Sequence, residues 1–220
     1  LLNFYSCSNN SKGNDIVKKI IASTDIAAGL TNGTRGGASD TDDSYAVELI
    51  SSYVDADFLA AVVVRGNNIQ PAEVFAANQT FIETPGFWNG PIFGGGIIPI
   101  AVPDDVIWTG GAGGDENLSE TCINEGVIEL AALLAESEEP ITIMAIGPLT
   151  DIACLVLNFP EVLDKIEELV FLGGRAPDQV LKYPFSDVVF TDFNVAQDVR
   201  AANIVFENSV KFKESCEEIK

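Results

Sequence analysis

The 220-residue chain contains no histidine. That absence removes every mechanism built on an imidazole, from Ser-His-Asp and Cys-His pairs to His-ligated zinc. Cationic side chains are also scarce: 12 Lys+Arg stand against 33 Asp+Glu, a formal net charge of −21. Such a balance disfavours a nucleic-acid backbone or an anionic membrane surface as partner, and the expectation is no nucleic acid and no membrane span. No apolar run approaches the ~20 residues that a spanning helix needs. Cysteine is limited to positions 7, 122, 154 and 216, with no C-x-x-C spacing and so no zinc-site pattern. Cys154 sits in the apolar run 152–157 and reads as a buried free thiol. Apolar residues are not lacking. At 47% they suffice for one sizeable core, which excludes a disordered chain and favours a single large domain.

Much of the negative charge belongs to solvated faces, such as Glu136-Ser137-Glu138-Glu139 and Glu217-Glu218. Near the N-terminus its placement is more specific. An apolar strand over 17–22 runs into Ser23-Thr24-Asp25. A glycine-rich stretch follows, and then Asp40-Thr41-Asp42-Asp43 opens a helical run over 44–50. A strand end and the next helix start thus deliver carboxylates to one place. Like charges repel, so the cluster costs stability unless a cation or a shared proton offsets it. A second reading has Asp42 and Asp43 as ordinary helix caps and dipole partners, worth about 1 kcal/mol.

Along the chain, short apolar runs alternate with helical patterns, which predicts an α/β fold with a mostly parallel central sheet and helices on both faces. A strand over 57–64 ends in Arg65-Gly66-Asn67-Asn68, and a helix follows around 71–84. Residues 90–115, rich in glycine and proline and containing Trp108, read as a long loop over a strand mouth. Then come a helix over 117–137, a strand over 141–146, a turn at Gly147-Pro148 and a helix over 149–158. A short helix over 160–168, a strand over 169–172 closed by Gly173-Gly174, and a helix over 198–208 complete the pattern. Ligands of such sheets bind outside the carboxyl ends of the strands. Asp25, Asn67, Ile146-Gly147, Gly173-Gly174 and Asp192-Phe193-Asn194 all fall at such ends. Residues 1–15 read as a flexible tail, and 16–220 as the folded domain. The tail has an alternative reading as the end of a bacterial lipoprotein signal, with Cys7 carrying a lipid anchor. The corresponding locations are the cytoplasm or, alternatively, the membrane surface.

The segment Ile141-Thr142-Ile143-Met144-Ala145-Ile146-Gly147-Pro148-Leu149-Thr150-Asp151-Ile152-Ala153 continues through Phe159-Pro160-Glu161 to Leu169-Val170-Phe171-Leu172-Gly173-Gly174. In order and spacing it resembles the strand-G-P-L-T-N-I-A helix, x-P-E helix and L-x-G-G strand of the inosine–uridine-preferring nucleoside hydrolases. Asp192-Phe193-Asn194 with Asp198 is similar to that family's E-F-N segment, and Val63-Val64-Arg65-Gly66-Asn67 to its T-x-x-G-N strand end. The resemblance covers 18–210. It implies the Rossmann-like nucleoside hydrolase fold and hydrolysis of the N-glycosidic bond of a small-molecule ribonucleoside, with Ca²⁺ as cofactor. Carried over by position, Asp25 is the general base and a metal ligand. Asp43 and the Ile146 carbonyl are further metal ligands. Asp42, Asn67, Asp192 and Asn194 bind the sugar, with Asp192 standing where the family has Glu. Trp108 stands where some purine-preferring members stack the base, and anchoring of its loop is the other reading. The family also implies a homo-oligomer.

Three departures accompany the match. Ser23 replaces the first aspartate of the compact D-x-D-P-G-x-D-D pattern. Sixteen residues, 26–41, separate Asp25 from Asp42, so that Asp40 competes for a place in the acidic pair. The chain ends at Lys220, which leaves out the family's last third and its late H-D segment; Ser186 or Asp187 stands about where another sugar-binding Asn is usual. The alternative expectation is therefore a catalytically impaired domain that binds a ribosyl ligand or metal without turnover.

Overall fold

The computed structural model describes residues 17–30, 41–52, 55–67, 70–79, 92–94, 122–174, 180–182, 185, 187, 189–190 and 192–208. Strand β1, Lys18–Thr24, begins with half-exposed lysines and is fully buried over its last four residues. It therefore dives into the core towards its carboxyl end. Helix α1, Asp42–Ser51, leads to β2, Ala56–Val63. Helix α2, Gln70–Ala77, leads to β3, Ile92–Gly94. Further on, α3, Glu125–Glu136, precedes β4, Ile141–Ala145, whose five residues are all buried. Helix α4, Thr150–Asn158, and a 3₁₀ turn, Pro160–Lys165, connect to β5, Ile166–Phe171.

The five strands form one sheet in the order β3-β2-β1-β4-β5, with every pairing parallel. The chain builds outward from β1 to β3, then returns to lay β4 on the other side of β1. That reversal makes the carboxyl ends of β1 and β4 the topological switch point, where doubly wound sheets open a crevice.

Each face of the sheet is covered. On one face Ile21, Val62, Ile143 and Ala145 pack with Leu130 and Leu134 of α3, Ile152 and Leu155 of α4, and Val205 of the last described helix. On the other, Ala22, Val63, Met144 and Ile146 pack with Val47 of α1 and Ala77 of α2. Strand residues alternate between faces, interrupted by a bulge in β5 at Glu167 and another in β2. Phe58 opposes Ile20 while Ala60 opposes Ile21, so Leu59 is an extra residue. Without that bulge the pattern beyond it would be on the wrong face.

After β5, Leu181–Lys182 (β6) and Val189–Phe190 (β7) form a small antiparallel ribbon. Two helices follow, α5 over Phe193–Gln197 and α6 over Val199–Glu207.

The parallel sheet with helices on both faces is as the sequence predicts. Several details differ. The strand β3 lies inside the stretch read as loop, because three residues are too few to show a period. The strand β5 starts at Ile166, not 169, and the preceding helix is only a 3₁₀ turn. Glu167 and Glu168 on this edge strand obscure its pattern, as charges on sheet edges do. Cys154 is not a free thiol. It is disulfide-bonded to Cys122, with Cα atoms 5.3 Å apart. Packing of α3 against α4 brings the two together across 32 residues, a proximity that no local spacing reveals. No described helix is long and apolar enough to cross a membrane. Cys7 lies outside the described residues.

Candidate active site at the switch point

Asp25 follows β1 directly and is 3% exposed; Asp43, in the first turn of α1, is 5% exposed. Asp43 turns Oδ2 towards β1. This oxygen accepts the Thr24 hydroxyl and, at 3.1 Å, the Asp25 backbone N–H. The N-cap of α1, Thr41, makes no side-chain capping bond. So the Asp43 oxygen that could have capped its own helix instead joins the helix to the strand. Asp42, one residue earlier, is exposed.

Two glycines let the backbone close around Asp25. A Cβ on Gly147 would lie 2.9 Å from the Asp25 nitrogen and 3.0 Å from its Oδ1, and a Cβ on Gly66 would overlap the same carboxylate. Only glycine fits such approaches. Behind Gly66, the fully buried Glu73 accepts the Gly66 N–H at 3.3 Å. The Asn67 amide donates to the Asp25 carbonyl at 3.1 Å. The Ser23 carbonyl takes the Ile146 N–H at 2.8 Å, tying β1 to the end of β4.

The opposite wall comes from the ends of β4 and β5 and from α5. Asp192 caps α5, its Oδ1 accepting the Val195 N–H at 2.7 Å. The Asn194 Nδ2 donates to the Ile146 carbonyl at 2.6 Å and to the Leu172 carbonyl at 2.9 Å. Both of its N–H groups are thereby engaged, and Oδ1 remains its acceptor.

Between the walls lies a cleft of about 210 Å³, partly open to solvent. Asp25, Asp42, Asp43, Asn67, Ile146, Asp192 and Asn194 all line it, together with Leu172, Gly173 and Phe193. The seven site residues expected in the described chain thus meet in one place. Trp108 and Asp40 lie outside the described residues, as does Ser186. Asp187 is an exposed partner of Lys182 at 3.2 Å and does not line the cleft. Thr24 and Glu73 were missed, since a lone hydroxyl on a strand and a lone acid on a helix carry no motif. Phe193 was visible as the centre of Asp192-Phe193-Asn194.

The groups at the cleft that could ligate a cation are oxygens, from carboxylates, asparagine amides and main-chain carbonyls. That chemistry suits a hard cation rather than a soft one. Among the described residues no three acidic or cysteine side chains cluster as a metal site. A cation here would need the Ile146 carbonyl, water and ligand hydroxyls in addition to carboxylates.

Fold and cleft together define a doubly wound α/β protein with an acidic cleft at its switch point. The profile of the family described as inosine-uridine preferring nucleoside hydrolase matches residues 36–216. The chain belongs to that family. It is 28% identical over 179 residues to the non-specific ribonucleoside hydrolase RihC of Salmonella typhimurium (strain LT2), covering 77% of this chain and 55% of the relative. The RihC of Shigella flexneri serotype 5b matches at 28% over 179 residues, covering 77% of this chain and 56% of the relative. The chain thus spans just over half the length of these curated relatives. Among solved structures, an inosine-guanosine nucleoside hydrolase superposes with a TM-score of 0.61 at 19% identity, over 87% of this chain and 58% of the other. A purine-preferring ribonucleoside hydrolase from Gardnerella vaginalis gives 0.58 at 17% identity, over 86% and 57%. At such identities the superpositions speak for the fold.

Proposed function

We propose that this protein hydrolyses the N-glycosidic bond of a ribonucleoside to ribose and free base, with Ca²⁺ bound in the switch-point cleft. The observation that carries the reading is the convergence of Asp25, Asp42, Asp43, Asp192 and Asn194 on one cleft in a member of this family. Asp25, Asp43 and the Ile146 carbonyl would hold the cation. When bound, Ca²⁺ supplies orientation and acidification of a water, and a countercharge for the clustered carboxylates.

The chain's own groups would do the rest. Asp25, held by Asn67 and backed by Gly66 and Gly147, accepts the proton of the attacking water. Water oxygen bonds to the anomeric carbon as the carbon–nitrogen bond breaks, and the electron pair leaves with the base. The sugar passes through an oxocarbenium-like state, whose positive charge the acidic cleft favours. Asp42, Asp192 and Asn194 Oδ1 accept hydrogen bonds from sugar hydroxyls. Trp108 would stack on the base. The leaving base takes its proton from solvent water.

A second reading is a domain that binds a ribosyl ligand without turnover. It is favoured by Ser23 in place of an acid and by the absence of a three-residue acidic cluster among the described residues. Calorimetry with Ca²⁺ and a ribose-release assay with inosine and uridine separate the two. The enzyme reading expects Ca²⁺ binding and turnover that Asp25→Asn abolishes. Nucleoside binding without ribose release supports the second reading, and a folded protein that binds neither ligand overturns both.

The Cys122–Cys154 disulfide supports folding in an oxidising compartment rather than in the reducing cytoplasm.

A further inference from the structure

Two contacts outside and beside the cleft share a geometry. The Asn194 amide donates to the Ile146 carbonyl at 2.6 Å, and the Thr150 hydroxyl donates to Asp198 Oδ2 at 2.7 Å. Each joins residues 48 apart in sequence. The turn from β4 into α4 and the segment carrying α5 therefore run side by side, linked by two rungs four residues apart.

The upper rung is at the cleft; the lower one is rooted in the core. Asp198 is fully buried and Thr150 is 3% exposed. The other Asp198 oxygen, Oδ1, accepts the Ala201 N–H at 3.0 Å and so starts α6, which packs Ala201, Ala202 and Val205 into the larger core. Helix α5 has only five residues, too few for its own hydrogen bonds to hold it in place. Its orientation is set by what its ends are tied to. Neither Thr150 nor Asp198 lines the cleft.

We propose that Thr150 and Asp198 are positioning residues, a clasp that fixes α5 so that Asp192 and Asn194 Oδ1 face the sugar and Asn194 stays on the Ile146 carbonyl. Its effect on substrate rests on the nucleoside hydrolase reading; the clasp itself does not. The test compares the full-length protein with Thr150→Val, which keeps the shape but deletes the hydroxyl, and Thr150→Ser, which keeps the hydroxyl. Thr150→Val should raise KM for inosine about tenfold with kcat within about threefold, because sugar contacts are misaimed while Asp25 is untouched. Thr150→Ser should restore KM to within about twofold. A fall in Tm with unchanged KM, or a serine variant that behaves like valine, overturns the proposal. If the unsubstituted protein shows no turnover, the hydrolase reading has failed, and amide hydrogen exchange over 193–197 decides the clasp. Thr150→Val should speed that exchange about tenfold while Thr150→Ser leaves it slow; unchanged exchange in Thr150→Val overturns it. Should the valine variant fail to fold, Thr150→Ala carries the same expectations.

Discussion

The two walls of the cleft are built on opposite plans. The β1–α1 wall is buried and anionic. Asp25 and Asp43 are 3% and 5% exposed and share hydrogen bonds with Thr24 and the main chain. The β4–β5–α5 wall is half-exposed and neutral at its centre, where one amide, Asn194, spans two carbonyls from different strands. Two ionised carboxylates on the first wall repel, and a cation or shared proton relieves that repulsion. The second wall carries a single carboxylate, Asp192, and acts as a frame. In the proposed enzyme the first wall would hold the reacting water, and the second would grip the sugar.

Breaking the acidic wall should give the largest effect. Asp25→Asn keeps the side-chain shape and removes one buried charge beside Asp43. Turnover should fall about 10³-fold, the usual scale for a lost general base. Without Ca²⁺ the variant should melt above the parent protein, since repulsion is relieved, and added Ca²⁺ should raise its Tm less than the parent's. Calorimetric scans with and without Ca²⁺ read both signs. An Asp25→Asn protein that melts lower without Ca²⁺ would show that this wall holds no stored repulsion.

The frame behind the second wall can be loosened without touching the cleft. Cys154 lies on α4, four residues after Thr150, and is joined to Cys122 before α3. A 32-residue separation puts the loss on reduction at roughly 3.7 kcal/mol, or about 7–15 °C in Tm for a domain of this size. Thermal melts with and without reductant measure the shift. Denaturing alkylation of unreduced protein should leave both thiols unlabelled, and labelling of Cys122 and Cys154 would remove the staple from the account.

A smaller effect belongs to the amide at the centre of that wall. Asn194→Asp replaces two N–H donors by a carboxylate facing two carbonyl oxygens, so the rung to Ile146 is lost and its neighbours are pushed apart. KM should rise about tenfold, with kcat less affected, as steady-state kinetics on inosine would show. Equal losses in both constants would instead place Asn194 in the chemical step.

The contrast between the walls also explains what the sequence could disclose. Asp25, Asn67 and Asp192-Phe193-Asn194 were legible because each sits where an apolar run stops, and Asp42-Asp43 because they open the next helical run; strand ends point to crevices in parallel sheets. The sheet itself was legible from buried β-rich runs such as Val62-Val63-Val64. What supports those residues was not. Thr24 has no pattern of its own and meets Asp43 nineteen residues further along the sequence. The partnership of Thr150 with Asp198, and of Cys122 with Cys154, depends on which helices pack together. The sequence points Asn194 at the sugar but does not disclose that its N–H groups go to the Ile146 and Leu172 carbonyls. Strand β3 was hidden by its brevity, and β5 by the glutamates on a sheet edge.

The finest test concerns that unannounced support. Thr24 is fully buried, and its hydroxyl and the Asp25 N–H both meet Asp43 Oδ2. Those two hydrogen bonds fix the orientation of the Asp43 carboxylate. Thr24→Val keeps the branched shape that suits a central strand but withdraws one donor, so Asp43 can rotate. Calorimetry should find Ca²⁺ affinity about three- to tenfold weaker in Thr24→Val and close to the parent in Thr24→Ser, in line with the modest cost of losing one oriented hydrogen bond beside a ligand. The expected order is then Asp25, the disulfide, Asn194 and Thr24. Thr24→Val with Ca²⁺ affinity equal to the parent's would mean that helix α1, rather than the strand hydroxyl, aims Asp43.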